Sequence, residues 1–431
     1  MSSCACIDSA IVGWFGVRSI LFGGSSRSGP PEKRLPATAR AAKAAARGQA
    51  SAMSRESILK DIGQVNVAVI HDWLTGMRGG EVVLEAILDL FPEADLYTLL
   101  HNEGSVSEKI ARRRIVTSFV DRLPFKKTRY RHYLPLFPTA IESFDLHGYD
   151  LVISSSHCVA RGVIVPPGVP HLSYLHSPMR YVWDMYQEYF PRTGFANRFV
   201  IPFFANYLRM WDAAATPRVD RYTCNSAFVA ERIRRYYGAR ATVIHPPCIE
   251  SEKSVQPGKK RDDFYLVVSA LVPYKRIDLA IDAFRDLDRR LVIVGTGPEE
   301  RRLKAHAPTN VEFAGRLERA QIQELYGRAR ALIFPGEEDF GIVPVEAQAR
   351  GCPVIAYARG GALETVRRNR TGVFFDEQNA GALRRAVQDS EQKNFPVRNF
   401  RENARRFTRA AFQRKLMTEV RKLLDQGPSG R

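Results

Sequence analysis

From Val65 onward, short apolar, β-branched runs alternate with stretches whose apolar positions recur every three or four residues. In the first half, VNVAVI (65–70), DLVIS (150–154), HLSYL (171–175) and RYTCN (221–225) predict strands. In the second half, FYLVVSA (264–270), RLVIVG (290–295), ALIFP (331–335) and PVIAY (353–357) predict strands again. Between them Ile277, Ala280, Ile281 and Phe284 share one helical face, and Ile322, Leu325, Tyr326 and Ala329 share another. Strands alternating with helices argue for parallel sheets flanked by helices, and here the rhythm runs twice. The polar, aperiodic stretch 246–263 reads as a linker. The expected architecture is therefore α/β, with two doubly wound domains, 65–245 and 262–395, facing each other across a cleft. A final basic helix is expected from about Arg398 to Leu424, within 396–431. Open sheets of this kind bind ligands at the carboxyl ends of their strands, so the cleft is the expected site.

Composition changes this picture little. The 431 residues suffice for two hydrophobic cores. No apolar run reaches the ~18–20 residues that span a bilayer, and the best stretch, Ala10 to Gly24, is interrupted by Arg18. Residues 1–57 are rich in Ser, Ala, Gly, Pro and Arg. They are expected to be a disordered or dispensable extension, with transit-peptide character and Met53 as an alternative start. The six cysteines are scattered without CxxC spacing, which argues against a zinc site or a disulfide framework. The net charge of +18 calls for an anionic partner, which could be nucleic acid, an anionic membrane or a phosphorylated substrate. Aromatic-rich RNA-binding and zinc-finger patterns are missing, so no nucleic-acid partner is expected.

The sharpest chemical signal is ALIFPGEEDFGIVPVEAQARG (331–351): a buried strand, a loop, then a helix. Pro344 suits a first helical turn, and Gly341 lets the backbone approach a ligand. The helix start offers unpaired N–H groups to an anion or to sugar hydroxyls. Glu338 lies before the helix and Glu346 is expected in its first turn, so both can face one ligand; alternatively Glu346 only complements the helix dipole.

With its paired glutamates, EDFGIVPVE resembles the signature of family 4 of the GT-B glycosyltransferases, retaining enzymes that use nucleotide-activated sugars. HDWLTGMRGGEVVLEAILDLFPEADLYTLL, SYLHSPMRYVWD, VVSALVPYKRIDLAI, LVIVGTGPEE and VEFAGRLERAQIQELY resemble further family blocks in the expected order, so the resemblance covers nearly all of 65–425. The most similar branch builds bacterial surface polysaccharides and contains mannosyltransferases. The resemblance implies the GT-B fold, with two Rossmann-like domains, an N-terminal acceptor domain and a C-terminal donor domain, and a final helix that returns toward the first. It implies that Glu346 holds the ribose hydroxyls and that Glu338 faces the donor sugar beside the N–H groups of Phe340, Gly341 and Ile342. Lys275 would neutralise the pyrophosphate, Gly79 and Gly80 would bring amides to the same phosphates, and the base would lie near Gly315 and Arg316. His176 would stand by the reacting sugar and the acceptor. Many relatives carry Arg where this chain has Ala270; Arg276 or Arg78 are the candidate substitutes.

The implied reaction moves a hexose, mannose from GDP-mannose being the first choice, to a hydroxyl of a glycan or lipid-linked acceptor. Attack is expected from the front face, with the departing phosphate taking the proton. No metal and no cofactor beyond the nucleotide-sugar co-substrate are expected. The implied location is cytoplasmic, peripheral on the membrane, whose anionic surface would meet the basic stretches 112–114 and 126–133 and the aromatic segment 195–211. His71 and His157 read as structural. GTG (295–297) lacks the third glycine of a dinucleotide fingerprint, and Asp286 with Asp288 has no third ligand for a metal. Two rivals remain: another GT-B enzyme such as a sugar epimerase or phosphorylase, and a non-catalytic nucleotide-sugar or polyanion binder. Oligomeric state is not legible.

Overall fold

The structure is a computed structural model, and it describes residues 65–190, 200–249 and 261–426. The expectation for residues 1–57 lies outside the described residues, as does most of the 246–263 stretch.

Two parallel sheets follow one another along the chain. The first contains β1 (Val67–His71), β2 (Asp95–Thr98), β3 (Ile115–Thr117), β4 (Leu151–Ser156), β5 (His171–Leu175), β6 (Arg221–Cys224) and β7 (Ala241–Val243), in the spatial order β3-β2-β1-β4-β5-β6-β7. The second contains β8 (Phe264–Val268), β9 (Arg290–Val294), β10 (Val311–Gly315), β11 (Leu332–Phe334), β12 (Val354–Tyr357) and β13 (Gly372–Phe375), ordered β10-β9-β8-β11-β12-β13. In each sheet the winding direction reverses beside the first strand, between β1 and β4 and between β8 and β11. Those switch points are where doubly wound sheets form their crevices.

All residues of β1, β4, β5 and β8 are buried, as expected for parallel strands covered by helices on both faces. The covering helices that position the site are α1 (Gly79–Leu88), α2 (Ile201–Ala214), α3 (Ala227–Tyr237), α4 (Ile277–Arg285), α5 (Arg319–Arg328), α6 (Ile342–Ala349), α7 (Val397–Ala404) and α8 (Arg409–Gln426). On α4 the expected face is buried: Ile277, Ala280, Ile281 and Phe284 all pack into the second core. On α5 only Tyr326 is buried within the helix; Ile322 and Leu325 pack at the margin of the core.

Five strands escaped the sequence reading: β2, β3, β7, β10 and β13. They are short or interrupted by polar residues, and β3, β7, β10 and β13 are the four sheet edges, where one side faces away from the core and the apolar signal thins. The single basic helix expected over 398–424 is instead α7 and α8, separated by a 3₁₀ turn at Arg405–Phe407 and Thr408. At that break the chain runs beside its own linker: Cys248 N donates to Phe407 O at 3.0 Å and Arg409 N to Ile249 O at 3.1 Å. α8 then lies on the first domain. Arg409 pairs with Glu85 of α1 and with its C-cap Asp89, Phe412 packs on Tyr174 with ring centroids 5.5 Å apart, and Glu419 accepts from Arg221 at 3.0 Å.

Candidate functional site

The first wall of the cleft is built where β1, β4 and β5 end. His71 closes β1, and its Nδ1–H donates to the Ser155 carbonyl at 3.1 Å, with Ser155 Oγ 3.3 Å away. The Ser155 hydroxyl is in turn 2.9 Å from His176 Nε2, just beyond β5. This arrangement lets the hydroxyl proton point at His176 and leaves the Nδ1–H of that ring as its donor. Burial first, then the neighbouring His157 and His71 rings, pull His176 down to about 3, and burial also lowers His71. His176 is therefore a neutral hydrogen-bonding ring throughout the physiological range.

The next residue, Asp72, is the anchor of this wall. Its fully buried carboxylate accepts four consecutive backbone N–H groups, from His157 (2.6 Å), Cys158 (2.9 Å), Val159 (2.7 Å) and Ala160 (2.7 Å). It also lies 3.1 Å from His157 Nδ1. Burial alone would raise its carboxyl, but the His157 ring and these donors outweigh burial and hold it well below the usual carboxylate range. His157 packs edge-on against Trp73 with ring centroids 4.5 Å apart and 34% of its side chain exposed, and its Nδ1 faces the Asp72 carboxylate.

The second wall comes from loops after β8 and β11. Beyond β8 and Ala270, a 3₁₀ turn (Pro273–Lys275) presents Lys275, and Arg276 follows with a left-handed φ of 53° as the N-cap of α4. The Lys275 ammonium is ion-paired with Glu338. Arg276 is turned to other partners: its guanidinium reaches Asp278 at 3.3 Å and donates to Gln378 Oε1 at 3.0 Å. Of the two candidate substitutes for the arginine missing at 270, Arg78 is the one that borders the cleft cavity. Beyond β11 the loop runs to Gly341, the left-handed cap (φ 86°) of α6, with Pro344 in its first turn. The loop is buttressed by Gly360–Gly361, where side chains would collide with the backbone of Glu338 and Phe340; Gly361 N donates to Glu338 O at 2.8 Å.

Both walls enclose one cavity of about 500 Å³. Seven of the residues singled out from sequence border it: Gly79, Gly80, His176, Glu338, Phe340, Gly341 and Ile342. Five do not. Lys275 touches it only through Glu338, and Arg276 is engaged elsewhere, as described. Gly315 caps β10 with φ 64°, and Arg316 beside it is exposed. Glu346 is one residue past the first turn of α6, a correction to its expected place, because the helix begins at Ile342 rather than later. Its carboxylate is 23% exposed and 3.9 Å from Arg319, and burial raises it above the usual carboxylate value with Arg319 opposing.

Residues that sequence reasoning did not place in the site also border the cavity: Trp73, Arg131, His157, Arg180 and Asp339. His157 had been read as structural. The available signal was its neighbour in the fold, Asp72 of HDW, but 85 residues separate the pair. The glycines of GTG serve packing: side chains at Gly295 and Gly297 would strike the backbone of Ser269 and Leu271. Asp286 of the DxD pairs with Arg384.

The basic stretches are largely spoken for. Arg112 pairs with Glu108, Arg114 with Asp95 at 2.9 Å, and Arg113 donates to Leu88 O at 3.1 Å. Lys126 is held by Asp121 at 2.7 Å, and Arg131 lies over the Tyr130 ring. Lys127 and Arg129 are exposed beside Phe125, which is itself 68% exposed, and α2 exposes Phe203 (71%) and Met210 (62%). No described helix is long and apolar enough to cross a membrane.

Two family models match in tandem: "Glycosyltransferase Family 4" over residues 77–250 and "Glycosyl transferases group 1" over 249–407. An uncharacterised glycosyltransferase of Methanocaldococcus jannaschii is 26% identical over 49% of this chain and 61% of its own length. A GDP-mannose-dependent monoacylated α-(1-6)-phosphatidylinositol monomannoside mannosyltransferase of Corynebacterium glutamicum is 34% identical over 34% of this chain and 47% of its own. The chain thus spans about half the length of the curated relatives it matches. Among solved structures, sucrose-phosphate synthase from Thermosynechococcus elongatus superposes with a TM-score of 0.64 at 20% identity, covering 84% of this chain and all of that one.

Proposed function

From the premise that this chain belongs to the family 4 type of glycosyltransferases, with the two-domain α/β GT-B fold, we propose that it moves a hexose from a nucleotide sugar to a hydroxyl of a glycan or lipid-linked acceptor. The observation that carries the reading is the convergence of two helix N-termini on one cavity. α1 begins at Gly79 and α6 at Ile342, with Gly79 packed against the Ile342 side chain, and Arg78 and Arg180 border the same space. Unpaired N–H groups and guanidinium groups facing one volume suit a diphosphate.

In the proposed reaction the bond from the anomeric carbon to the diphosphate oxygen breaks while a bond to the acceptor oxygen forms on the same face. The acceptor's proton passes to the departing phosphate, and configuration is retained. Charge growing on the diphosphate falls to the two helix ends, Arg78 and Lys275, without a metal. Glu338 orients donor hydroxyls, and Glu346 accepts from the ribose. His176, neutral and donating through Nδ1, and His157, oriented by Asp72, align sugar hydroxyls on the first wall. The Corynebacterium relative supports GDP-mannose as the donor to try first and a lipid-linked acceptor at a membrane. Exposed Phe125, Phe203, Lys127 and Arg129 are the groups proposed to meet an anionic bilayer.

A thermal-shift comparison of GDP and UDP, followed by transfer of labelled mannose from GDP-mannose, tests this. Ligand at a hundred times its dissociation constant should stabilise the chain by about 2.7 kcal/mol. No stabilisation by either nucleotide would remove the reading.

A further inference from the structure

Between Glu338, which the proposed function gives to the donor sugar, and Phe340, which borders the same cavity, stands Asp339. Its carboxylate points away from its own domain. Arg232 Nη1, on α3 of the first domain, donates to Asp339 Oδ1 at 2.6 Å, and Arg180 Nη1 lies 3.5 Å from Asp339 Oδ2. The Asp339 carbonyl is held from the same side, accepting from Ser226 Oγ, the N-cap of α3, at 2.6 Å. Arg232 is almost fully buried, and its other nitrogen pairs with Asp184 at 2.5 Å while Ser177 Oγ accepts from Nη1 at 3.2 Å. Its position is thus set inside the first domain before Asp339 arrives.

Three further contacts cross at the same level. Glu364, from the second domain, accepts the free N–H groups of Ala227 and Phe228 at the start of α3, at 2.8 and 3.3 Å. Tyr189 stacks on Tyr274, next to Lys275, with ring centroids 6.4 Å apart. Gly79 meets Ile342 at the start of α6. Every one of these second-domain residues is on, or one residue from, a loop that carries proposed donor contacts, except Glu364, which follows the Gly360–Gly361 buttress. The donor loop is therefore held from both sides, by Gly361 and Lys275 of its own domain and, at Asp339, by the opposite one.

We propose that Arg232, seconded by Arg180, is a positioning residue: through Asp339 it holds the Glu338–Gly341 loop in its donor-binding shape, so that domain closure and assembly of the donor site are one event. This rests on the reading of that loop as the donor site. The physical basis is that a nearly buried guanidinium with two carboxylate partners tolerates little displacement of either. The loop lacks such a hold from its own domain at this residue, where both carboxylate oxygens face arginines of the first.

Hydrogen exchange of the full-length chain, with titration of GDP and UDP, separates the possibilities. In Asp339→Asn and in Arg232→Lys, the amides of 338–342 should exchange about tenfold faster or more, and nucleotide affinity should fall about tenfold, the scale of ordinary coupling between sites. Asp339→Glu should recover most of both losses. With Arg232→Met as background, adding Asp339→Asn should change exchange by less than twofold, since the partner is already gone. If Asp339→Asn leaves exchange at 338–342 within twofold of the parent, the proposal is overturned. The exchange measurement needs no ligand, so it decides this point even if the parent chain binds neither nucleotide, an outcome that would instead sink the proposed function.

Discussion

The two walls of the cleft sit at equivalent switch points of two similar sheets, yet they hold their polar groups in opposite ways. On the first wall the groups are partnered within the domain: buried Asp72 by four backbone amides, buried His71 and the cavity-lining His176 through Ser155. On the second wall the proposed donor groups Lys275 and Glu338 are partly exposed and paired with each other's side chains. A group bound by its own backbone cannot adapt to a ligand. A partly exposed pair of flexible side chains exchanges partners more readily than a carboxylate bound by four amides. The first wall is a fixed template, and the second is a set of charges that can be redirected onto a substrate.

Breaking the template should cost stability most. Asp72→Ala strips a charged acceptor from four amides, and with each charge-assisted bond worth ~1.5–3 kcal/mol and incomplete additivity, a loss of at least about 3 kcal/mol is expected in urea unfolding. A loss under 1 kcal/mol would show that the loop after β4 holds without it. Lys275→Ala, on the adaptable wall, should do the reverse, leaving the urea midpoint nearly unchanged while turnover drops ~10²–10³-fold. Near-parental turnover would mean that another cation serves the diphosphate.

The first domain should also respond to acid, through His176 on the wall and His171 at the other end of β5. His176 is held at about 3 and His171 at about 4, both by burial, against 6.5 for an ordinary histidine. The unfolded chain therefore binds protons that the folded chain refuses between about pH 6.5 and these lower values. Their contribution is complete above pH 6.5 and lost as pH falls, with a slope of about 1.4 kcal/mol per pH unit for each ring. Unfolding midpoints measured from pH 7.5 to 5 should show a shallower fall in His176→Gln than in the parent. Parallel curves would contradict the burial argument. The smallest effect concerns the membrane. Lys127→Ser with Arg129→Ser should weaken flotation with anionic vesicles, at about 1 kcal/mol per charge. The same change at Lys126 and Arg131 should do less, because Asp121 and the Tyr130 ring already engage them. Equal effects from both pairs would remove the distinction.

The amino-acid sequence by itself determined the two α/β halves, because strands buried on both faces write continuous apolar runs, and eight of them were legible. It also determined the strand–loop–helix around Glu338 to Glu346, because cap glycine, proline and glutamates are local signals. The edge strands, the break between α7 and α8 and the start of α6 at Ile342 depend on packing and hydrogen bonds that no short window contains. Only the tertiary structure decided which charges meet. Adjacent in sequence, Lys275 and Arg276 part company because Arg276 turns left-handed at the cap of α4. Asp72 and His157, 85 residues apart, meet because β1 and β4 are neighbours in the sheet, and Asp339 finds Arg232 only across the cleft. Those pairings fall off steeply with distance, and distance is a property of the folded chain alone.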